Sequence, residues 1–378
     1  MKNIFLMVLT VFATSHATQA LENTTCKTCH PAIYAEYQHS MHANASTVRD
    51  AIHKAVWDKH PMKKQGNYAC AKCHTPSDHT LQNGKGLPVD NPVQRSEPIS
   101  CQGCHRIKSI EKHAQANTNI LTDKKKYFFS ADKVKKGSRV IFHEERRFFG
   151  LIKSTTGSPY HDIDYSKEGY YTGAMCMGCH SHKQNSRKFA ICDLEVKQGD
   201  STATCISCHM PQTLGALANQ KHTATHAYHG ASIHEMTPED LSQYVQLSVE
   251  KRPKGFAVLI HNKATHTLFP QPLRLNQLRV TIRRGDQSMT LPSQSFVRVI
   301  GTAGKATMPW LADAVIKDTT IKAGEKRKVS FDTELKKGDE VIVEFGYYLV
   351  NPAAAQKLGL TDAGASEFRV LTHKRFAF

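Results

Sequence analysis

One pattern, Cys-x-x-Cys-His, is written five times in this chain and takes ten of its eleven cysteines. The copies begin at Cys26, Cys70, Cys101, Cys176 and Cys205, have second thiols at Cys29, Cys73, Cys104, Cys179 and Cys208, and end at His30, His74, His105, His180 and His209. This is the attachment pattern of covalently bound haem. Two intervening residues set the separation of the sulfurs, which add across the two vinyl groups of a porphyrin, and the next residue reaches the iron from one face. Zinc sites would pair Cys-x-x-Cys units without a histidine after each. A thioredoxin-like dithiol would occur once, beside a strand–helix pattern. Five copies that all end in histidine suit neither, so the chain is expected to hold five haem c groups.

The rest of the chain divides by texture. From Thr24 to about Met236 it is poor in strand patterns and rich in His, Lys, Gly and Pro. Such a composition cannot build an ordinary apolar core, whereas porphyrins supply large flat hydrophobic bodies, so short helices and many loops packed on haem are expected. From about Leu241 apolar and polar residues alternate, over Tyr244–Val249, Phe256–Ile260, Leu278–Ile282, Phe296–Ile300, Lys326–Phe331 and Val341–Tyr347. Pro253-Lys-Gly255, Arg284-Gly-Asp286, Ala323-Gly-Glu325 and Lys337-Gly-Asp339 mark turns between them. Short strands at regular spacing predict a β-sandwich. The expected fold is therefore α+β and multidomain, with a haem-packed domain over 21–236 and a β-sandwich over 237–378.

Residues 1–20 read as an export signal: Lys2, an apolar run from Ile4 to Ala13, and a small-x-small site ending at Ala20. That run is too short to span a membrane. Haem attachment to cysteine takes place outside the cytoplasm in bacteria, so a periplasmic location is expected. The formal net charge is +17. Export argues against nucleic acid as the partner of this basic chain. Haem propionates offset part of the charge, and the remaining lysines would steer an acidic redox partner.

Each iron needs a sixth ligand, and sixteen histidines remain outside the motifs and the signal. His79, soon after the second motif, is one candidate, with an exposed loop histidine as the plain alternative. His53 and His60 flank Trp57 on a helical pattern and would be ligands or line a haem edge. His222, His226, His229 and His234 form a cluster that would ligate iron or make a surface metal site or proton store. Cys192 is the leftover cysteine and is expected to be a buried thiol. Lys124–Lys136 reads as a solvated loop.

The stretch Pro31-Ala-Ile-Tyr-Ala-Glu-Tyr-Gln-His-Ser-Met-His-Ala43 resembles the multihaem cytochromes of the cytochrome c-554 and c-prime group, related to hydroxylamine oxidoreductase. There a motif is followed by a helix ending in Ser-x-His-Ala whose histidine is an axial ligand. The resemblance implies that role for His42, with His39 and Met41 behind it. Ile99-Ser-Cys-Gln-Gly-Cys-His-Arg-Ile107 and Arg147–Lys153 followed by Ser158-Pro-Tyr-His161 are similar to further segments of the group, although Leu151 stands where relatives have proline. They imply His161 as a ligand. By the same likeness His226, four residues before Gly230, and His266, in His261-Asn-Lys-Ala-Thr-His266-Thr-Leu-Phe-Pro270, are implied ligands. The likeness also implies an immunoglobulin-like form for the sandwich.

These readings lead to an electron carrier with largely bis-His haems, working between respiratory redox partners and associating peripherally with a larger complex. The competing class is a multihaem oxidoreductase with one open iron, acting on nitrite, hydroxylamine or tetrathionate. No motif has Lys in place of its His, the mark of ammonia-forming nitrite reductases, and the five motifs fall short of the eight haems of hydroxylamine oxidoreductases. If an open site exists, Tyr160, Tyr170, Tyr171 and the His226–His234 cluster are the acid–base candidates.

Overall fold

A computed structural model describes residues 22–196, 203–219, 223–230 and 236–378. The segment read as an export signal, and His222 and His234, lie outside the described residues.

Helices before residue 240 are short because the sequence stops them. Pro31 opens Pro31–His39, and Ser40 closes it by donating from Oγ to the Tyr37 carbonyl at 2.6 Å. Asp50 caps Ala51–Lys59 by accepting from the amides of Ile52 and His53. That helix ends at His60, whose follower Pro61 disfavours further helical backbone. The motif turns have caps of their own: Ser100 accepts from the Gly103 amide, and Thr204 and Ser207 form a capping box.

Between these turns run two-stranded ribbons that the sequence texture did not announce: Ile107–Glu111 with Thr118–Leu121, His143–Arg147 with Ile152–Thr156, His182–Gln184 with Ala190–Asp193, and Gln212–Leu214 with Thr225–Ala227. Most strands are five residues or fewer and lack a clean buried face, so period-two patterning is weak. The charged stretch from Lys124 is likewise more than a loop. Tyr127–Phe129 pairs in parallel with Asp162–Asp164, and Phe129 is buried. Among the described residues before 237, the buried apolar cluster is small: Trp57, Tyr68, Ala71 and Leu81.

The C-terminal part is built the ordinary way. Val245–Lys251, Phe256–Asn262 and Lys326–Phe331 form one antiparallel sheet. Gln287–Thr290, Leu275–Arg284, Glu340–Tyr348 and Arg369–Ala377 form another, with Gln294–Phe296 also paired to Leu275–Arg284. Alternate residues of the two sheets share one core: Phe256, Val258 and Ile260 with Leu278, Val280, Ile282, Val341, Val343 and Phe345. Each such side chain contributes about 1.5–3 kcal/mol on full burial. The expected strands recur within these bounds, except that Phe296–Ile300 is divided, its second half starting the separate strand Arg298–Thr302. Gly255 makes the first hairpin possible, because a side chain there would meet the Phe331 carbonyl at 1.9 Å.

The two parts are stitched by specific contacts. Asn185 donates to the carbonyls of Pro309 and Ala312, and Arg298 donates to those of Ala190 and Ile191. Val350, Ala355 and Leu358 pack against Ile52, Ala55 and Val56 of helix Ala51–Lys59. Helices and sheets are thus both present, short helices interleaved with small ribbons before residue 237 and larger antiparallel sheets after it, an α+β architecture.

Candidate functional site

Every motif occupies a single helical turn. In the first, second and fourth, the amide of the second cysteine and that of the histidine both donate to the carbonyl of the first cysteine, at 2.9–3.2 Å. The third and fifth are the helices Cys101–His105 and Cys205–His209. A turn brings residues i, i+3 and i+4 onto one face, so both thiols and the imidazole point the same way. All ten motif cysteines are half-buried and unbridged. Motifs adjacent in sequence are not always neighbours in space. The thiol of Cys26 meets that of Cys101, and Cys73 meets Cys179. Gly173, at φ +77°, places the approach to the fourth motif against Cys205 of the fifth.

Opposite four of the motif histidines stands a second imidazole. Ring centres are 6.2 Å apart for His30 and His161, 6.0 Å for His42 and His180, 6.2 Å for His105 and His229, and 6.2 Å for His209 and His266. An imidazole nitrogen lies about 2 Å from a first-row metal ion and about 1.1 Å from its ring centre, so two rings on opposite faces of one ion have centres about 6 Å apart. The spacing is too long for ring contact and fits an iron between each pair.

The second ring nitrogen is held in half of these eight rings. Nδ1 faces a backbone carbonyl in His30 (Leu217, 2.7 Å), His105 (Phe129, 2.8 Å), His229 (Ala227, 2.6 Å) and His266 (Thr267, 3.0 Å). A ring that donates from Nδ1 presents its Nε2 lone pair, the tautomer a metal requires. Burial, together with the facing His180, holds His42 down to about 4. Burial, then His105, does the same for His229, also to about 4. Both are neutral near pH 7, as a ligand must be.

His74, His180 and His209 are crowded by protein atoms, which lowers their affinity for protons, yet each keeps exposed surface. The two observations agree if that surface borders gaps inside the fold. Porphyrins between the paired imidazoles, bonded to the motif cysteines, would account for how a region with so small an apolar cluster is packed.

His42 is presented by the Ser-x-His-Ala turn itself: Ser40 Oγ donates to Tyr37 and accepts from the Ala43 amide, bracketing it. His161 precedes strand Asp162–Asp164, beside Phe128. His266 lies in a turn held by buried Asn262, whose amide donates to the carbonyls of His266, Ile321 and Lys322. Two other sequence candidates stand elsewhere. His226 has an oxygen at each ring nitrogen, the Gly215 carbonyl at 3.1 Å and Glu36 Oε1 at 2.9 Å, and His229 takes the place opposite His105. His79 sits exposed at the start of a 3-10 turn, and the ring nearest His74 is His53 at 4.1 Å. Sequence could have favoured His229 only by knowing which face of strand Thr225–Ala227 is buried. Met41 is exposed, and Cys192 is a half-buried thiol on strand Ala190–Asp193.

Residues 25–106 match the family described as cytochrome c554 and c-prime. That segment of the chain is similar to the multihaem cytochromes c of this family. The structure of a penta-haem cytochrome c552 from Thermochromatium tepidum superposes on this chain with a TM-score of 0.71 at 19% identity, covering 95% of this chain and 99% of that one. At that identity the likeness is one of fold. No curated protein matches the chain. Among the described residues no helix is long and apolar enough to cross a membrane. The matched segment contains the first three motifs and His42.

Proposed function

We propose that this chain is an exported, periplasmic electron carrier with five haems, largely bis-His, linking respiratory redox partners. The observation that carries the reading is the set of four imidazole pairs at 6.0–6.2 Å. The residues that would hold iron are His30 with His161, His180 with His42, His105 with His229, and His209 with His266. His74 would bind the remaining haem. When bound, haem supplies a one-electron Fe(III)/Fe(II) couple whose potential follows axial ligation and burial. Carbonyls at Nδ1 hold both rings of the His105–His229 pair and one ring each of the His30–His161 and His209–His266 pairs, and the Ser40 turn holds His42. The first motif meets the third, the second meets the fourth and the fourth meets the fifth, and Cys104 of the third lies near Cys176 and Cys179 of the fourth, which together support one connected path. Lysine excess favours partners with acidic docking faces. In the same reading the haem domain spans 21–236, and 237–378 is an immunoglobulin-like sandwich, for which the common core of two antiparallel sheets speaks.

A second reading rests on His74. Among the described residues no histidine faces it at the 6 Å spacing, and His53 has both nitrogens engaged, Nδ1 by the Ala45 carbonyl at 2.9 Å and Nε2 by the Tyr68 hydroxyl at 3.1 Å. That arrangement favours one iron with an open position, which would accept a small nitrogen or sulfur oxyanion. Low-temperature EPR of the oxidised protein decides between the readings. Five low-spin sites indifferent to nitrite and hydroxylamine leave the pure carrier. Four low-spin sites and one high-spin site that responds to either ligand make it an oxidoreductase as well. Fewer than four low-spin sites would overturn the bis-His assignment.

A further inference from the structure

The ribbon His143–Arg147/Ile152–Thr156 has no buried face: nine of its ten strand residues are exposed and Glu144 is half-buried. A two-stranded hairpin with nothing packed on it is marginal in water. Its tip carries four bulky apolar residues in a five-residue span, Phe148, Phe149, Leu151 and Ile152, exposed by 70%, fully, 87% and 52%. Phe148 and Phe149 hold φ of 50° and 55°, a region bulky side chains avoid, and both rings are thrown outward. Behind the tip stand Arg146, Arg147 and Lys153, braced by Glu144 and Glu145 at 2.7–2.9 Å. The cations outnumber the carboxylates there, and the chain as a whole carries +17.

We propose that this hairpin is a membrane-docking arm that seats its apolar tip in the interface of an anionic phospholipid bilayer. Apolar residues sink to the acyl boundary while cations one residue behind meet the phosphates, the layering of interfacial anchors. Charge favours this occupant over a second copy, since two chains that both carry a cationic excess repel. Brief electron-transfer encounters bury little surface, and an apolar wedge suits lasting attachment better. His161 follows the arm closely, so docking would hold the His30–His161 pair near the lipid surface.

Flotation of the purified holoprotein with vesicles tests the proposal. It should rise with phosphatidylcholine–phosphatidylglycerol vesicles at roughly 3:1 and much less with phosphatidylcholine alone. F148S/F149S should cut the floated fraction by about tenfold or more while keeping the haem spectrum and iron content. Should that variant lose haem, L151S/I152S must give the same loss of flotation with the spectrum intact. A wild-type protein that does not float, or variants that float equally well, overturns the idea. So does a dimer in sedimentation that F148S/F149S converts to monomer, which would make the arm an interface between copies.

Discussion

A histidine has two ring nitrogens, and what one of them touches decides what the other can do. At His229 the Ala227 carbonyl occupies Nδ1 and leaves Nε2 for His105's side. At His226 Gly215 and Glu36 occupy both. Glu36 also accepts the His229 amide at 2.8 Å, so His226 and Glu36 position the segment that carries His229. His229→Ala should therefore convert one low-spin ferric site to high-spin, whereas His226→Ala should keep the number of low-spin sites. EPR spin counting of the two variants checks this, and the reverse pattern would return the ligand role to His226. The five motif turns were legible in the sequence because each is one contiguous run of five residues. Partners of the motif histidines were less legible because they are distant in the chain and depend on folding. His42 could be read because Ser40 builds its turn locally. His226 lies on a short strand with its ring buried and His229 just beyond that strand, a difference that the sequence does not mark.

At the scale of elements, two positions show how tightly the turns are set. A Cβ on Gly173 would lie 2.5 Å from that of Cys205, and its φ of +77° disfavours any side chain. Gly173→Ala should cost about 2 kcal/mol or more, from left-handed strain and overpacking together. Intact-mass measurement should find molecules lacking one haem, at the fifth motif; a fully loaded, equally stable variant would show that the two motifs have room to part. In the sheets, Arg284 grips buried Asp339 through both carboxylate oxygens at 2.6–2.7 Å and holds its carboxyl down to about 2. A depressed carboxyl stabilises the fold above its unfolded value, near 3.9, and the contribution fades as pH falls through about 2. Asp339→Asn should melt lower than wild type at pH 7, and the gap should narrow toward pH 2, followed by circular dichroism of the strands. A gap independent of pH would assign the effect to packing. Most of these strands were legible because one face is dry and the other wet; Arg369–Ala377 was not, since only Leu371 and Thr372 of it are buried.

For the whole molecule, the question is whether the C-terminal strands stand apart from the motif region or are built into it. Alternation told of two sheets and could not tell what they touch. The contacts give the physical answer: an apolar seam between helix Ala51–Lys59 and Pro352–Leu358, carbonyls clasped by Asn185 and Arg298, and His266 opposite His209. The first two would survive loss of the third. His266→Ala should therefore leave the chain folded but make the fifth motif's haem high-spin and shift its potential upward, since a weaker or absent imidazole disfavours the ferric state. Cleavage near residue 236 should give a haem-bearing fragment and a colourless one that stay together on gel filtration in wild type. In the His266→Ala protein they should separate more readily, because the iron would no longer bridge them. If the nicked variant holds together as well as wild type and its potentials are unchanged, His266 is a junction histidine, and the seam and the clasped carbonyls alone join the sheets to the haems.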